Sequence, residues 1–378
     1  MTRVHVSLFV AAAAGLAAAS VSAQPRVQPD LAANAAMKYW QAFAQLPPRD
    51  DHKQERVRDW RTTPLDAAAR ELATESDKCF LYLRRGAALS RCDWSLDYED
   101  GVGLLLPHLD KARTLTLLAC LRARIALADG RPADGVDNLL AALTLGRHVA
   151  DPIMICLLVD LNIELNAGDA IGLLLPKLDV TTVKRVADRL DALPAAATVE
   201  QTLVTEREHF VGWGIRRLKD LEQAGGGDMR AKVRALIGSD DANEIMTLVD
   251  DASAKRLIEA LEGLRPFLDE QRRLVALPRD QFLAQWPALQ AKQSVNHAAK
   301  VMLPAVAKVV NARDRARAHF ALLRAAVDVV RDGQGALAKH SDPFGKGPFQ
   351  YAARPHGFEL RSALQIEGKP VVLVVGPP

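Results

Sequence analysis

Two short stretches of this 378-residue chain carry side chains whose types and spacing suit chemistry. The first contains Arg84, Arg85, Arg91, Asp93, Trp94, Asp97, Tyr98, Glu99 and Asp100, and its composition reads as a loop, where binding residues concentrate. An indole face can stack on a sugar and paired carboxylates can hold a cation, so Arg91, Asp93, Trp94, Asp97, Tyr98 and Asp100 form a candidate binding set. Their spacing departs from a calcium-binding EF loop, which needs acidic ligands at alternate positions. The competing reading has Trp94 and Tyr98 plug a gap between helices while the charges cap the helix ends. Leu89 and Leu96 flank Trp94, and the packing reading is preferred.

The second stretch contains Glu206, Glu208, His209 and Trp213 on an expected helix. Glu206 and His209 are three apart and would share one helical face. A carboxylate beside an imidazole is the arrangement of a general base, which makes the pair a catalytic candidate. No nucleophile or third ligand accompanies it, so an ordinary surface contact is the simpler account.

Other signatures of chemistry are missing from the sequence. There is no His-Glu-x-x-His to put two zinc ligands on one helical face, no Gly-x-Ser-x-Gly nucleophile elbow and no Ser-x-x-Lys. Neither a Walker loop nor a Gly-x-Gly-x-x-Gly fingerprint occurs, and Gly345-Lys346-Gly347 lacks the glycine-rich cradle that wraps a phosphate. His108, His148, His297 and His319 stand isolated among helical residues. No cofactor and no metal are expected. The mainstream hydrolase, nucleotidase and dehydrogenase classes lose support.

The elements that must position these side chains begin after an N-terminal leader. Arg3 precedes an apolar run from Val6 to Ala19, and Val21-Ser22-Ala23 presents small residues before Gln24. This arrangement predicts a signal peptide over residues 1–23, cleavage after Ala23, and an exported, periplasmic or extracellular product without a transmembrane anchor. Lys and Arg number 49 against 46 Asp and Glu, a net charge of +3 that argues against nucleic acid as the main partner.

Helical periodicity then persists to Val330. Expected helices follow a cap at Asp30, a Thr63-Pro64 cap, and starts near Leu115, Thr181, Thr198 and Asp241; Gln201 completes a capping box with Thr198. Val301 to Val330 reads as one long amphipathic helix, and Gly225-Gly226-Gly227 as the boundary between helical units. The expected organisation is a unit over 24–224, a second over 228–340, and a β tail over 341–378.

The helix around Leu118, Leu121 and Ile125, the Asp129-Gly130-Arg131-Pro132 turn, and the helix around Val136, Leu139 and Leu143 together resemble a tetratricopeptide-type pair. Cys120-Leu121 is echoed by Cys156-Leu157 at a similar period, which argues against a bridge between those two thiols. Cys79, Cys92, Cys120 and Cys156 suit small buried hydrophobes as well as disulfides.

After Phe349 the pattern becomes alternating and β-branched, and a three-stranded antiparallel sheet is expected with turns at Pro355-His356-Gly357 and Glu367-Gly368-Lys369. Asp342-Pro343-Phe344-Gly345-Lys346-Gly347-Pro348-Phe349-Gln350-Tyr351 with Gly357-Phe358-Glu359-Leu360 resembles the C-terminal segment of type II secretion pseudopilins and of uncharacterised secreted, mostly helical bacterial proteins. That resemblance implies an accessory role in a secretion or pilus-like assembly. The fold class expected overall is mostly α, as antiparallel helical pairs in a solenoid or bundle, with a small C-terminal sheet. The leading functional expectation is a noncatalytic envelope scaffold or binding protein for an unidentified protein or envelope component. An enzyme of unfamiliar type acting on an envelope polymer is the alternative.

Overall fold

Apolar residues recurring every three or four positions wind most of the chain into helix, and the computed structural model has fifteen α-helices and one small sheet among the described residues. It describes residues 33–225 and 254–377, except 49 and 304, together with 228, 231–233 and 235. The leader over 1–23, the cap at Asp30, Gly226-Gly227 and the helix start near Asp241 lie outside the described residues.

Short helices come first: α1 (Ala35–Phe43), α2 (Asp51–Arg58), α3 (Ala67–Glu75) and α4 (Asp77–Ala87). Asn34 caps α1, its Oδ1 accepting from Ala36 N at 3.1 Å, so the helix begins later than the Asp30 cap implied. Asp66 caps α3 in place of Thr63, and the Ser76 hydroxyl donates back to Leu72 O at 2.8 Å where α3 gives way to α4. That local bond competes with the helical ladder and divides what reads as one stretch.

Three long helices form the centre: α5 (Pro107–Ala128), α6 (Ala133–Val149) and α7 (Met154–Leu174). Gly130, at φ 74°, closes α5 with Arg131 N donating to Ala126 O at 2.8 Å. α7 is apolar around most of its circumference and is buried accordingly. Two acids inside it, Asp160 and Glu164, are both paired with the buried Arg147 of α6. The four cysteines are free thiols, three of them buried, and Cys120 Sγ donates to Asn166 O at 3.5 Å.

α8 (Val180–Asp191) is followed by α9 (Val199–Thr205), which opens on the expected Thr198–Gln201 capping box, and by α10 (Gly212–Ala224). Then come α11 (Ala254–Glu262), α12 (Arg265–Val275), α13 (Arg279–Val295), α14 (His297–Met302) and α15 (Val306–Asp332). The helix expected from Val301 breaks before Val306 because Leu303 precedes a proline in the sequence and is extended, at ψ 141°. Two apolar cores result. One gathers α1 to α8, the C-terminal half of α15 and the sheet, and the other gathers α9 to α14, the N-terminal half of α15 and one face of α7.

β1 (Gln350–Arg354), β2 (Gly357–Ile366) and β3 (Lys369–Val375) pair antiparallel in that order and pack against α7 and α15. Glu367 and Gly368, at φ 53° and 75°, form the tight β2–β3 turn. The buried Asp342 carboxylate accepts from Ser362 Oγ at 2.9 Å and Phe344 N at 3.0 Å, pinning the preceding loop to β2. No helix among the described residues is long and apolar enough to cross a membrane.

Candidate functional site

Trp94 lies inside the first core, 9% exposed, with its Nε1 donating to His148 O at 2.7 Å. Its ring stacks on His108 at 4.4 Å between centroids and on Tyr39 at 5.9 Å, with Phe43 and Trp40 completing the cluster. An indole enclosed in this way has no face left for a sugar, so the packing role describes it. Burial pushes His108 and His148 down to about 4, which keeps both imidazoles neutral. The charged neighbours do local work: Asp93 Oδ1 accepts from Ser95 N at 2.8 Å, Asp97 Oδ1 accepts from Glu99 N at 3.0 Å, and Arg91 meets Asp93 at 3.4 Å on the surface. Asp100 is exposed.

The two candidate stretches meet in space. A π-helical turn over Glu206–Val211 links α9 to α10, a distortion often found at functional positions. Tyr98 packs on His209 at 4.6 Å between ring centroids, and Trp213 Nε1 donates to Glu99 O at 2.8 Å. Gly101, at φ 57°, lies flat on the Trp213 indole, where a Cβ would come within 2.1 Å of the ring.

The proposed Glu206–His209 pairing does not form. The wider π turn carries more residues per turn, so positions three apart no longer share a face. His209 is exposed beside Tyr98, whereas Glu206 turns towards the Met154 N–H at the start of α7 and lines an apolar cavity of about 340 Å³. Burial pushes its carboxyl up to about 7.

A larger cavity, of about 800 Å³, opens where α2, α5, α7, α15 and the β2–β3 turn converge. Arg58, Arg61, Arg113, Arg315, Lys369 and His319 line it, opposed by Asp169 and Glu367. Asp169 accepts from His319 Nε2 at 2.7 Å and from the Arg61 guanidinium. Burial alone would raise this carboxyl, but His319 and Arg61 outweigh it and hold Asp169 below the ordinary carboxylate range. An ionised Asp169 accepts only, so His319 Nε2 is the donor of this bond. The other nitrogen, Nδ1, is buried without a partner against Gly168, where a Cβ would come within 3.1 Å of it. His319 therefore braces Asp169.

Arg61 lies over the Trp60 ring at 4.4 Å, and Trp60 Nε1 and Arg61 Nη1 both donate to Asn166 Oδ1 at 3.1 Å. One wall is thus rigid. Arg58, Arg113, Arg315 and Lys369 have no carboxylate partner among the described residues and are exposed at the cavity. In sequence each reads as an ordinary solvated position, because the contributors are spread from α2 to β3. Only the shared polarity of Asn162, Asn166 and Asp169 along one face of α7, apart from the Asp160 and Glu164 that pair with Arg147, hints at the site. Comparison with protein-family models, curated proteins and solved structures finds no match for the chain.

Proposed function

We propose that this protein is a noncatalytic binding protein of the cell envelope that takes an anionic ligand, bearing phosphate or carboxylate groups, in the larger cavity. The observation that carries the reading is the set of four cations, Arg58, Arg113, Arg315 and Lys369, without carboxylate partners among the described residues around one concavity. Like charges held around a cleft repel one another and focus a positive potential, which a bound anion relieves. Arginine forks match phosphate and carboxylate oxygens in pairs. The braced His319–Asp169–Arg61 wall supplies a preformed side to the site.

Titration calorimetry with inorganic pyrophosphate tests this. Saturable one-site binding is expected at low ionic strength, weakening as salt is raised. Arg113→Glu and Arg315→Glu should each weaken it tenfold or more. Absence of binding, or two variants that bind like the parent, would overturn the proposal.

The envelope location rests on Arg3, the apolar run from Val6 to Ala19 and the Val21-Ser22-Ala23 site. N-terminal sequencing of the exported protein should begin within a residue or two of Gln24. A retained leader in a membrane fraction would refute it.

A further inference from the structure

The Glu206 cavity is independent of the basic one and has the opposite character. Its walls come from the 101–106 segment, the first turns of α7 and Phe210, and among the described residues Glu206 is the one charged side chain lining it. At about 340 Å³ it falls at the small end of the range for small-molecule pockets, roughly 300–1,000 Å³. Its mouth is unusually apolar for a surface: Val102 is 51% exposed and Ile155 48%, with Leu105 at 77% beside them.

We propose that this cavity is a second binding site, specific for an aliphatic molecule that carries a protonated amine. The apolar walls take the chain and the Glu206 carboxylate takes the ammonium. The Glu206 carboxylate faces the Met154 N–H at the start of α7, but a carboxylate has about four acceptor positions, and that N–H can occupy only one. The neighbouring Arg207 supplies no counter-charge, because it pairs with Glu208 and Asp269. The desolvation that lifts the Glu206 carboxyl marks an acid short of such a charge. A fatty acid would set a second carboxylate against the first, and a plain hydrocarbon would offer the remaining oxygen positions no donor. An alkylammonium satisfies both surfaces with a charge-assisted bond.

Calorimetry on the full-length protein with n-octylamine, n-octanol and octanoate separates these outcomes. Octylamine should bind saturably and at least tenfold more tightly than octanol, with octanoate weakest. Glu206→Gln should bring amine and alcohol to similar affinity. Val102→Trp, at an exposed mouth position that leaves the fold undisturbed, should weaken amine and alcohol together, and it carries the test if Glu206→Gln melts early. Pyrophosphate should not compete with octylamine, so failure here is distinguishable from failure at the basic cavity. Equal binding of amine and alcohol by the parent, an amine preference that survives in Glu206→Gln, or no binding at all would each overturn the proposal.

Discussion

Trp94→Ala should lower stability by about 3–5 kcal/mol, the usual range for emptying a buried aromatic site. Trp94 holds together α1, the start of α5 and the end of α6, touching Tyr39, Trp40, Phe43 and His108 while its Nε1 satisfies the His148 carbonyl. Those neighbours are large rings packed against one another, so they cannot close over the space left behind, and the His148 carbonyl would lose its donor in a dry site. Asp97→Ala makes the useful contrast. Asp97 caps a short 3₁₀ turn at the surface, and its removal should lose only about 1 kcal/mol. Urea denaturation of the two variants beside the parent checks both values. A Trp94→Ala protein that unfolds like the parent would show that the aromatic cluster does not anchor this loop.

The second large loss is expected from Arg147→Met. Asp160 is 1% exposed and Glu164 5%, and Arg147 bonds both, with Asp160 Oδ2 at 2.7 Å from its Nη1. Removing the shared cation leaves two buried carboxylates uncompensated, which typically loses about 3–5 kcal/mol near neutral pH. The loss should depend on pH. Burial lifts Asp160 from an ordinary 3.8 to about 6 even with Arg147 in place, and without Arg147 it rises further. A carboxyl with a raised folded-state pKa leaves stability intact below its unfolded value, and the stability is lost as pH climbs through the folded value. Arg147→Met should therefore be least impaired near pH 4 and most impaired above about pH 7. Adding Asp160→Asn and Glu164→Gln should recover most of the loss by removing the stranded charges. Denaturation midpoints across that pH range decide the matter, and a deficit that does not vary with pH would contradict the account.

Local chemistry was legible in the residues wherever neighbours in sequence satisfy one another. The Thr198–Gln201 box opens α9 because both of its hydrogen bonds close within three residues, and the Gly130 turn ends α5 because only glycine takes its positive φ without strain. The three strands and their turns follow from alternation and from Glu367-Gly368. Trp94 was readable as a buried plug from Leu89 and Leu96 beside it.

Where two local solutions were available, the surrounding fold chose between them. Asp66 displaced Thr63 as a cap, and Ser76 split α3 from α4 by bonding backward to Leu72. A residue of extra winding in the 206–211 turn separated Glu206 from His209, since α-helical spacing applies only while every turn holds the same number of residues. Both cavities belong wholly to the tertiary structure. Arg58, Arg113, Arg315 and Lys369 face one space only because α2, α5, α15 and a β-turn converge on the polar face of α7, and Glu206 meets Met154 only because α9 packs beside that helix's start. Propensities and caps are set by residues a few positions apart, whereas a binding site needs charges and apolar walls from distant elements, and packing alone decides which of those elements meet.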